Sequence, residues 1–143
     1  MTACTLCRPN SSTAGVGHVS ELDCRCEPGF YRKIPNTTED CEPCPRGFDC
    51  SEPGGDTTSI VVLSEYWRPT RFALQSRLCP TGESCDGGTT NAATFTDRDE
   101  VGCANGTRGA FCEHCADDDQ YFDERGGRCR AFGFRIRLLL LLL

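Results

Sequence analysis

The residues of this sequence best suited to chemistry are its cysteines, of which there are 13 among 143 residues. Three pairs have the spacing C-x2-C: Cys4 and Cys7, Cys41 and Cys44, and Cys112 and Cys115. Two thiolates on one tight turn can share a tetrahedral zinc ion. Cysteines at this density can equally be oxidised to a disulfide framework. The pattern opens two hypotheses, an intracellular zinc-binding interaction module and an extracellular disulfide-rich protein.

The spacing of the cysteines and histidines favours disulfides over zinc. A strong zinc signal has two C-x2-C pairs separated by roughly 15 to 20 residues. Here 16 residues separate Cys7 from Cys24, but Cys24 begins a C-x-C pair with Cys26. His18 stands at no regular ligand position, and His114 lies inside a C-x2-C knuckle, where we expect its side chain to face solvent.

Three glycosylation sequons also indicate an oxidising compartment. Asn10, Asn36 and Asn105 each begin an N-x-[ST] triplet without proline, and each lies in a turn-rich loop between cysteines. A bulky glycan fits such a loop. We therefore predict glycosylation at all three asparagines and an extracellular or cell-surface location.

No catalytic motif accompanies the cysteines. The chain lacks G-x-S-x-G, a glycine-rich phosphate loop and H-E-x-x-H. The sequence Cys112-Glu113-His114-Cys115 has redox spacing but not the βαβ context that a thioredoxin-like motif needs. The net charge of −6 argues against a nucleic-acid partner. We predict a protein that is not an enzyme and needs no cofactor.

The elements that position these residues must be short. The chain has 15 Gly and 8 Pro, only 8% of its residues are aromatic, and no convincing helix start or stop appears. Short strands are predicted within residues 29–34, 58–63, 66–74 and 120–124. The predicted fold class is therefore small and disulfide-rich, with tandem modules, short β-hairpins and little regular structure.

The cysteines fall into two clusters, which predict the domain organisation. Residues 1–50 and 79–130 hold the cysteine-rich modules, and residues 51–78 form a sulfur-free linker or short β segment. Residues 131–143 are an apolar tail that ends in six leucines, too few to cross a bilayer but consistent with the start of a transmembrane anchor. Trp67, the single tryptophan, is either a packing anchor over a disulfide or a partner-contact residue.

The first cluster resembles the ephrin-receptor-like cysteine-rich repeat. Residues 4–41 carry the pattern C-x2-C, a spacer, C-x-C, two residues and then Gly29, Phe30, Tyr31 and Arg32 before a final cysteine. Residue Arg8 stands where that repeat usually has proline. The resemblance implies disulfides Cys7–Cys24 and Cys26–Cys41.

The last cluster is similar to the second half of a laminin-type EGF module. Residues 103–129 run from a cysteine through eight residues to C-x2-C, an aromatic pair and a closing cysteine. This resemblance implies disulfides Cys103–Cys112 and Cys115–Cys129. With residues 79–88 and the sequence from Tyr66 to Pro69, the block also looks like large cysteine-rich surface proteins of protists and algae.

Sequence proximity suggests the remaining pairs, Cys44–Cys50 and Cys79–Cys85. Twelve cysteines are then used, and Cys4 is left either to pair with a cysteine upstream in a longer chain or to remain a free or intermolecular thiol.

Acidic residues before Cys103 are weak calcium candidates. Asp97, Asp99 and Glu100 lie near the position where calcium-binding EGF modules carry their acidic ligands, but two residues further from the cysteine. A solvated acidic loop is the alternative. The full expectation is a fragment of a larger cell-surface or secreted protein, a non-catalytic array with a spacer, adhesion or ligand-binding role and an unknown protein or glycan partner.

Overall fold

A computed structural model describes residues 6–70, 72–88 and 102–132. Within these ranges the regular structure consists of short antiparallel hairpins and three single-turn 3₁₀ helices, without an α-helix. This confirms the predicted fold class. The 3₁₀ helices are Glu21–Asp23, Gly82–Ser84 and Ala110–Cys112.

Each hairpin pairs two strands that are consecutive in the chain. The strands are two to four residues long: β1 Ser11–Thr13, β2 Cys24–Cys26, β3 Phe30–Arg32, β4 Cys41–Pro43, β5 Phe48–Asp49, β6 Val61–Val62, β7 Tyr66–Trp67, β8 Arg77–Leu78, β9 Thr107–Arg108, β10 His114–Cys115, β11 Gln120–Asp123 and β12 Arg128–Ala131. All four predicted strand regions contain a strand, although the predicted strand at 66–74 ends at Trp67, two residues before Pro69.

Disulfides join hairpins that are not joined to each other by strand pairing. Cys26 on β2 bonds to Cys41 on β4, so this bridge joins the first hairpin to the second. Cys115 on β10 bonds to Cys129 on β12 and joins the last two hairpins in the same way. A two-stranded hairpin is marginally stable at best in water. The bridges therefore supply the tertiary connections that a larger core would otherwise provide.

The apolar core lies in two small clusters. The first packs Tyr31, Phe48, Ile60 and Val62 against the disulfide at Cys50. The second packs Trp67 against the buried cysteines Cys79, Cys85 and Cys112, with Cys103 and Phe111 at its edge. In both clusters sulfur atoms and aromatic rings take the place of a larger aliphatic interior.

The sulfur-free segment 51–78 connects the two cysteine clusters by hydrogen bonds. At its start, the amide of Gly54 donates to the carbonyl of Cys26 at 2.7 Å, and the amide of Arg32 donates to the carbonyl of Gly55 at 2.9 Å. Further on, Val62 exchanges two backbone bonds with Gly88, at 3.0 and 2.8 Å. The segment thus contributes β6, β7 and β8 and contacts both clusters, while the proposed domain boundaries stay a prediction.

Gly87 lies where that segment meets the second cluster. Its φ is +71°, and a Cβ there would contact the carbonyl oxygen of Val62 and lie 2.6 Å from the backbone carbon of Leu63. Gly106 has a similar φ of +88°, but a Cβ there meets nothing within 4 Å. A comparison of substitutions at the two glycines therefore separates the cost of backbone strain from the cost of a steric clash.

We expect Gly87→Ala to be clearly less stable than Gly106→Ala. Both changes incur the cost of a left-handed residue, about 1–2 kcal/mol, and only Gly87→Ala adds an overlap with backbone atoms, about 1–3 kcal/mol more. Urea unfolding of the oxidised protein measures both. Equal losses would contradict the close backbone approach at Gly87.

Candidate functional site

The cysteines of each described C-x2-C pair belong to different disulfides. Cys41 bonds to Cys26 and Cys44 to Cys50, while Cys112 bonds to Cys103 and Cys115 to Cys129. With Cys7–Cys24 and Cys79–Cys85, the structure has the same six pairs that the sequence suggests. Neither pair presents two thiolates to a common metal, and the described residues contain no group of three or more side chains placed to hold a metal ion.

The other metal candidates of the sequence do not converge within the described residues. His18 lies 3.6 Å from Asp23, and His114 is exposed, as expected for a solvent-facing residue of the knuckle. The calcium candidates Asp97, Asp99 and Glu100 lie outside the described residues, as do Cys4 and the leucine tail. In the part of the chain that is described, no helix is long and apolar enough to cross a membrane.

Trp67 packs inside the second core cluster. Only 8% of it is exposed, and its ring centroid lies 5.1 Å from that of Phe111 at a tilt typical of aromatic pairs. Its neighbours are the disulfide-bonded Cys79, Cys85 and Cys112. The packing-anchor interpretation is therefore correct for the described structure.

Beside Trp67 lies a feature that the sequence does not reveal, a fully buried arginine. Arg68 has no exposed surface; one of its terminal nitrogens donates to the carbonyl of Thr57 at 3.2 Å, and its guanidinium carbon lies 5.3 Å from the centre of the Phe48 ring. Burial lowers the pKa of Arg68 to about 10. Its Nε and Nη2 atoms have no hydrogen-bond partner among the described residues. Arg68 thus contacts the first core cluster while its neighbour Trp67 lies in the second.

The tyrosine of the Gly-aromatic step is also buried. Tyr31 is 3% exposed, packs in the cluster that contains Cys50, and donates its hydroxyl to Glu42 at 3.2 Å. Burial, strengthened by the negative charge of Glu42, raises the pKa of Tyr31 to about 12. The phenol is therefore neutral at physiological pH and acts as a packing group with one hydrogen bond.

The three sequon asparagines lie on exposed turns. Asn10 and Asn36 have left-handed backbone angles of 60° and 56°, and Asn105 precedes Gly106 in the turn before β9. All three are exposed. These positions leave room for a glycan outside both core clusters.

A small groove is the second feature that sequence reasoning missed. It has a volume of about 270 Å³ and lies between β2, β3 and the turn residues 53–56. The side chains that give it chemical character are Arg25, Arg32, Asn36 and Asp56, and Leu22 also lines it. A larger surface depression of about 510 Å³ contains Arg108, but there the cation lies 3.7 Å from Asp118.

Comparison with known proteins supplies one partial relative. No protein-family model and no solved structure matches the chain. A segment of 48 residues is 43% identical to Cysteine repeat modular protein A of Toxoplasma gondii, covering 32% of this chain and 2% of that protein. The chain therefore spans a very small part of the relative's length.

Together with the six disulfides, that similarity supports a cysteine-rich repeat protein. The ephrin-receptor-like and laminin-like types of the modules remain predictions.

Arg68 provides a test of how the buried cation acts. A buried charge without an ion pair costs desolvation free energy, and methionine keeps most of the side-chain volume. We therefore expect the free energy of unfolding of Arg68→Met to lie within about 1 kcal/mol of that of the natural protein. Arg68→Ala leaves a cavity and should lose about 2 kcal/mol or more. Urea unfolding under non-reducing conditions compares them. If Met were as destabilising as Ala, the guanidinium and its bond to Thr57 would matter more than its volume.

Proposed function

We propose that the chain is a non-catalytic extracellular module of a larger protein, which spaces or presents binding sites at the cell surface. The observation that carries the proposal is that twelve of the 13 cysteines form disulfides and that each described C-x2-C pair is divided between two of them. Disulfides of this density persist in oxidising compartments and are rare in the cytosol.

Two further observations support this proposal. The chain is similar over 48 residues to a protein whose name describes it as modular and cysteine-repeat. The three sequon asparagines lie on exposed turns, where glycans of a secreted protein would be carried. The resemblance to ephrin-receptor-like and laminin-type modules agrees with a role in spacing or binding rather than catalysis.

Thiol and metal counting tests the proposal against the zinc-binding alternative. Secreted protein, denatured without reductant, should contain about one thiol per chain and no stoichiometric zinc, since six disulfides use twelve cysteines. A Cys4→Ser variant is the matched control and should contain no thiol while unfolding at the same urea concentration. Thirteen thiols with stoichiometric zinc would overturn the proposal in favour of an intracellular zinc module.

The glycans have a separate test. We expect secretion from a eukaryotic host to give three mass steps that an N-glycosidase removes, and each of Asn10→Gln, Asn36→Gln and Asn105→Gln to remove one step. Each asparagine is exposed on a turn, so these changes should leave the unfolding midpoint of the deglycosylated protein within experimental error. A secreted protein with no glycan at any of the three asparagines would contradict the prediction.

A further inference from the structure

The groove between β2 and residues 53–56 contains two cations, neither of which has an anionic partner among the described residues. The side chain of Arg25 makes no hydrogen bond or ion pair within the described part of the chain; its aliphatic carbons pass over Gly54, where a Cβ would lie 3.3 Å from its Cδ. Arg32 donates its Nη2 to the carbonyl of Cys24 at 2.9 Å, but its Nε is buried and has no hydrogen-bond partner. Arg32 thus makes one side-chain hydrogen bond, to a backbone carbonyl, and its charge is not neutralised by an acidic side chain among the described residues.

The shape of the groove depends on the backbone around Gly54. The peptide of Gly54 bonds to Cys26, and that of Gly55 to Arg32, so residues 53–56 are held along β2 and β3. Gly54 has a φ of +83°, which a side chain would strain, and the missing Cβ lets the stem of Arg25 lie directly on the backbone. The disulfides Cys7–Cys24 and Cys26–Cys41 fix both ends of β2. The two arginines therefore lie on strands of two hairpins, β1–β2 and β3–β4, which the Cys26–Cys41 disulfide joins.

The one acidic side chain of the groove is already occupied. A single carboxylate oxygen of Asp56 accepts bonds from the backbone and hydroxyl of Thr58, at 2.8 and 2.6 Å, and from those of Ser59, at 3.0 and 3.2 Å. Asp56 thus closes its own turn instead of pairing with an arginine. Two guanidinium groups against one carboxylate leave the groove with one uncompensated positive charge.

We propose that this groove binds one aspartate or glutamate side chain presented by a partner protein. One carboxylate neutralises the groove and supplies acceptors for both guanidinium groups, which suit carboxylates because their donors form a planar fork. Leu22, which also lines the groove and is 60% exposed, offers apolar contact to a neighbouring side chain of the ligand.

Charge around the groove favours a single carboxylate over a sulfated polysaccharide. The chain carries a net charge of −6, and Glu21 and Asp23 flank Leu22 in the 3₁₀ helix. A polyanion would place its further charges against this acidic surface, where like charges repel within about 8 Å at physiological salt.

The inference rests on the proposed function in one respect, that the chain is a module that presents binding sites. It adds the chemistry of the partner, a carboxylate side chain. The test uses the oxidised 143-residue chain refolded from bacteria, which carries no glycan. The blocked dipeptide acetyl-Glu-Leu-amide is titrated while the arginine Nε–H signals are followed by ¹⁵N NMR. We expect a saturable shift of the Arg32 signal, and acetyl-Gln-Leu-amide should produce none.

Variants assign the effect to the groove. Arg25→Gln keeps most of the stem and removes the charge at an exposed position, so we expect it to stay folded and to weaken binding about tenfold. Arg46→Gln is the matched control, because Arg46 lines a different depression and donates to the Tyr66 hydroxyl; its affinity for the dipeptide should not change.

Three results of the dipeptide titration would overturn the inference: no saturable shift, equal shifts with the glutamine dipeptide, or full affinity in Arg25→Gln. Tighter, Arg25-dependent binding of a heparin tetrasaccharide would also overturn it, because the partner would then be a sulfated glycan. If the protein has six disulfides but shows no binding in this titration, only the proposed groove site is wrong. If it has thirteen thiols and stoichiometric zinc, the proposed function itself is wrong.

Discussion

Disulfide bonding is the constraint on which the rest of this structure depends. The described strands are two to four residues long, and each forms a ladder with one other described strand. Hairpins of that size do not hold together in water without further support. The six bridges close loops with sequence separations from 6 to 17 residues, each expected to contribute about 2–3 kcal/mol by restricting the unfolded chain. Because the disulfides stabilise the fold, it requires little apolar burial, and its surface can carry charged side chains and glycans.

Where the chain has no cysteine of its own, side-chain packing connects it to the rest of the fold. Residues 51–78 contain no cysteine, yet Ile60, Val62 and Trp67 from this stretch are among the most buried side chains. Arg68, next to Trp67, lies over Phe48 and bonds to Thr57. The chain thus has two solutions for holding its short hairpins together. Disulfides join residues within each cysteine cluster, and a small apolar and cation–π contact connects the two cysteine clusters. A site such as the Arg25–Arg32 groove gains rigidity from the first of these solutions.

The sequence predicts the parts of this fold that are coded locally. Cysteine spacing, together with the module resemblances, leads to the same six pairs that the structure contains, and β-branched and aromatic runs locate the strands at Phe30, Val61, Tyr66 and Gln120. Tertiary contacts are what the sequence does not reveal. Nothing in the letters around Arg68 distinguishes a buried arginine from an exposed one, because its burial depends on Phe48 and Thr57, 20 and 11 residues away. Arg25 and Arg32 likewise line one groove because Gly54 lies against the stem of Arg25 and bonds to Cys26 on β2.

The central claim, that disulfides rather than the core hold the fold, is tested most directly by hydrogen exchange before and after reduction. In the oxidised protein, amides bonded across the clusters, such as Gly54 to Cys26 and Val62 to Gly88, should be protected from exchange. Addition of a phosphine reductant in the absence of denaturant should abolish this protection and collapse the dispersion of the amide spectrum. A reduced protein that keeps its dispersed spectrum and its protected amides would contradict the account, because the apolar clusters alone would then be sufficient to hold the fold.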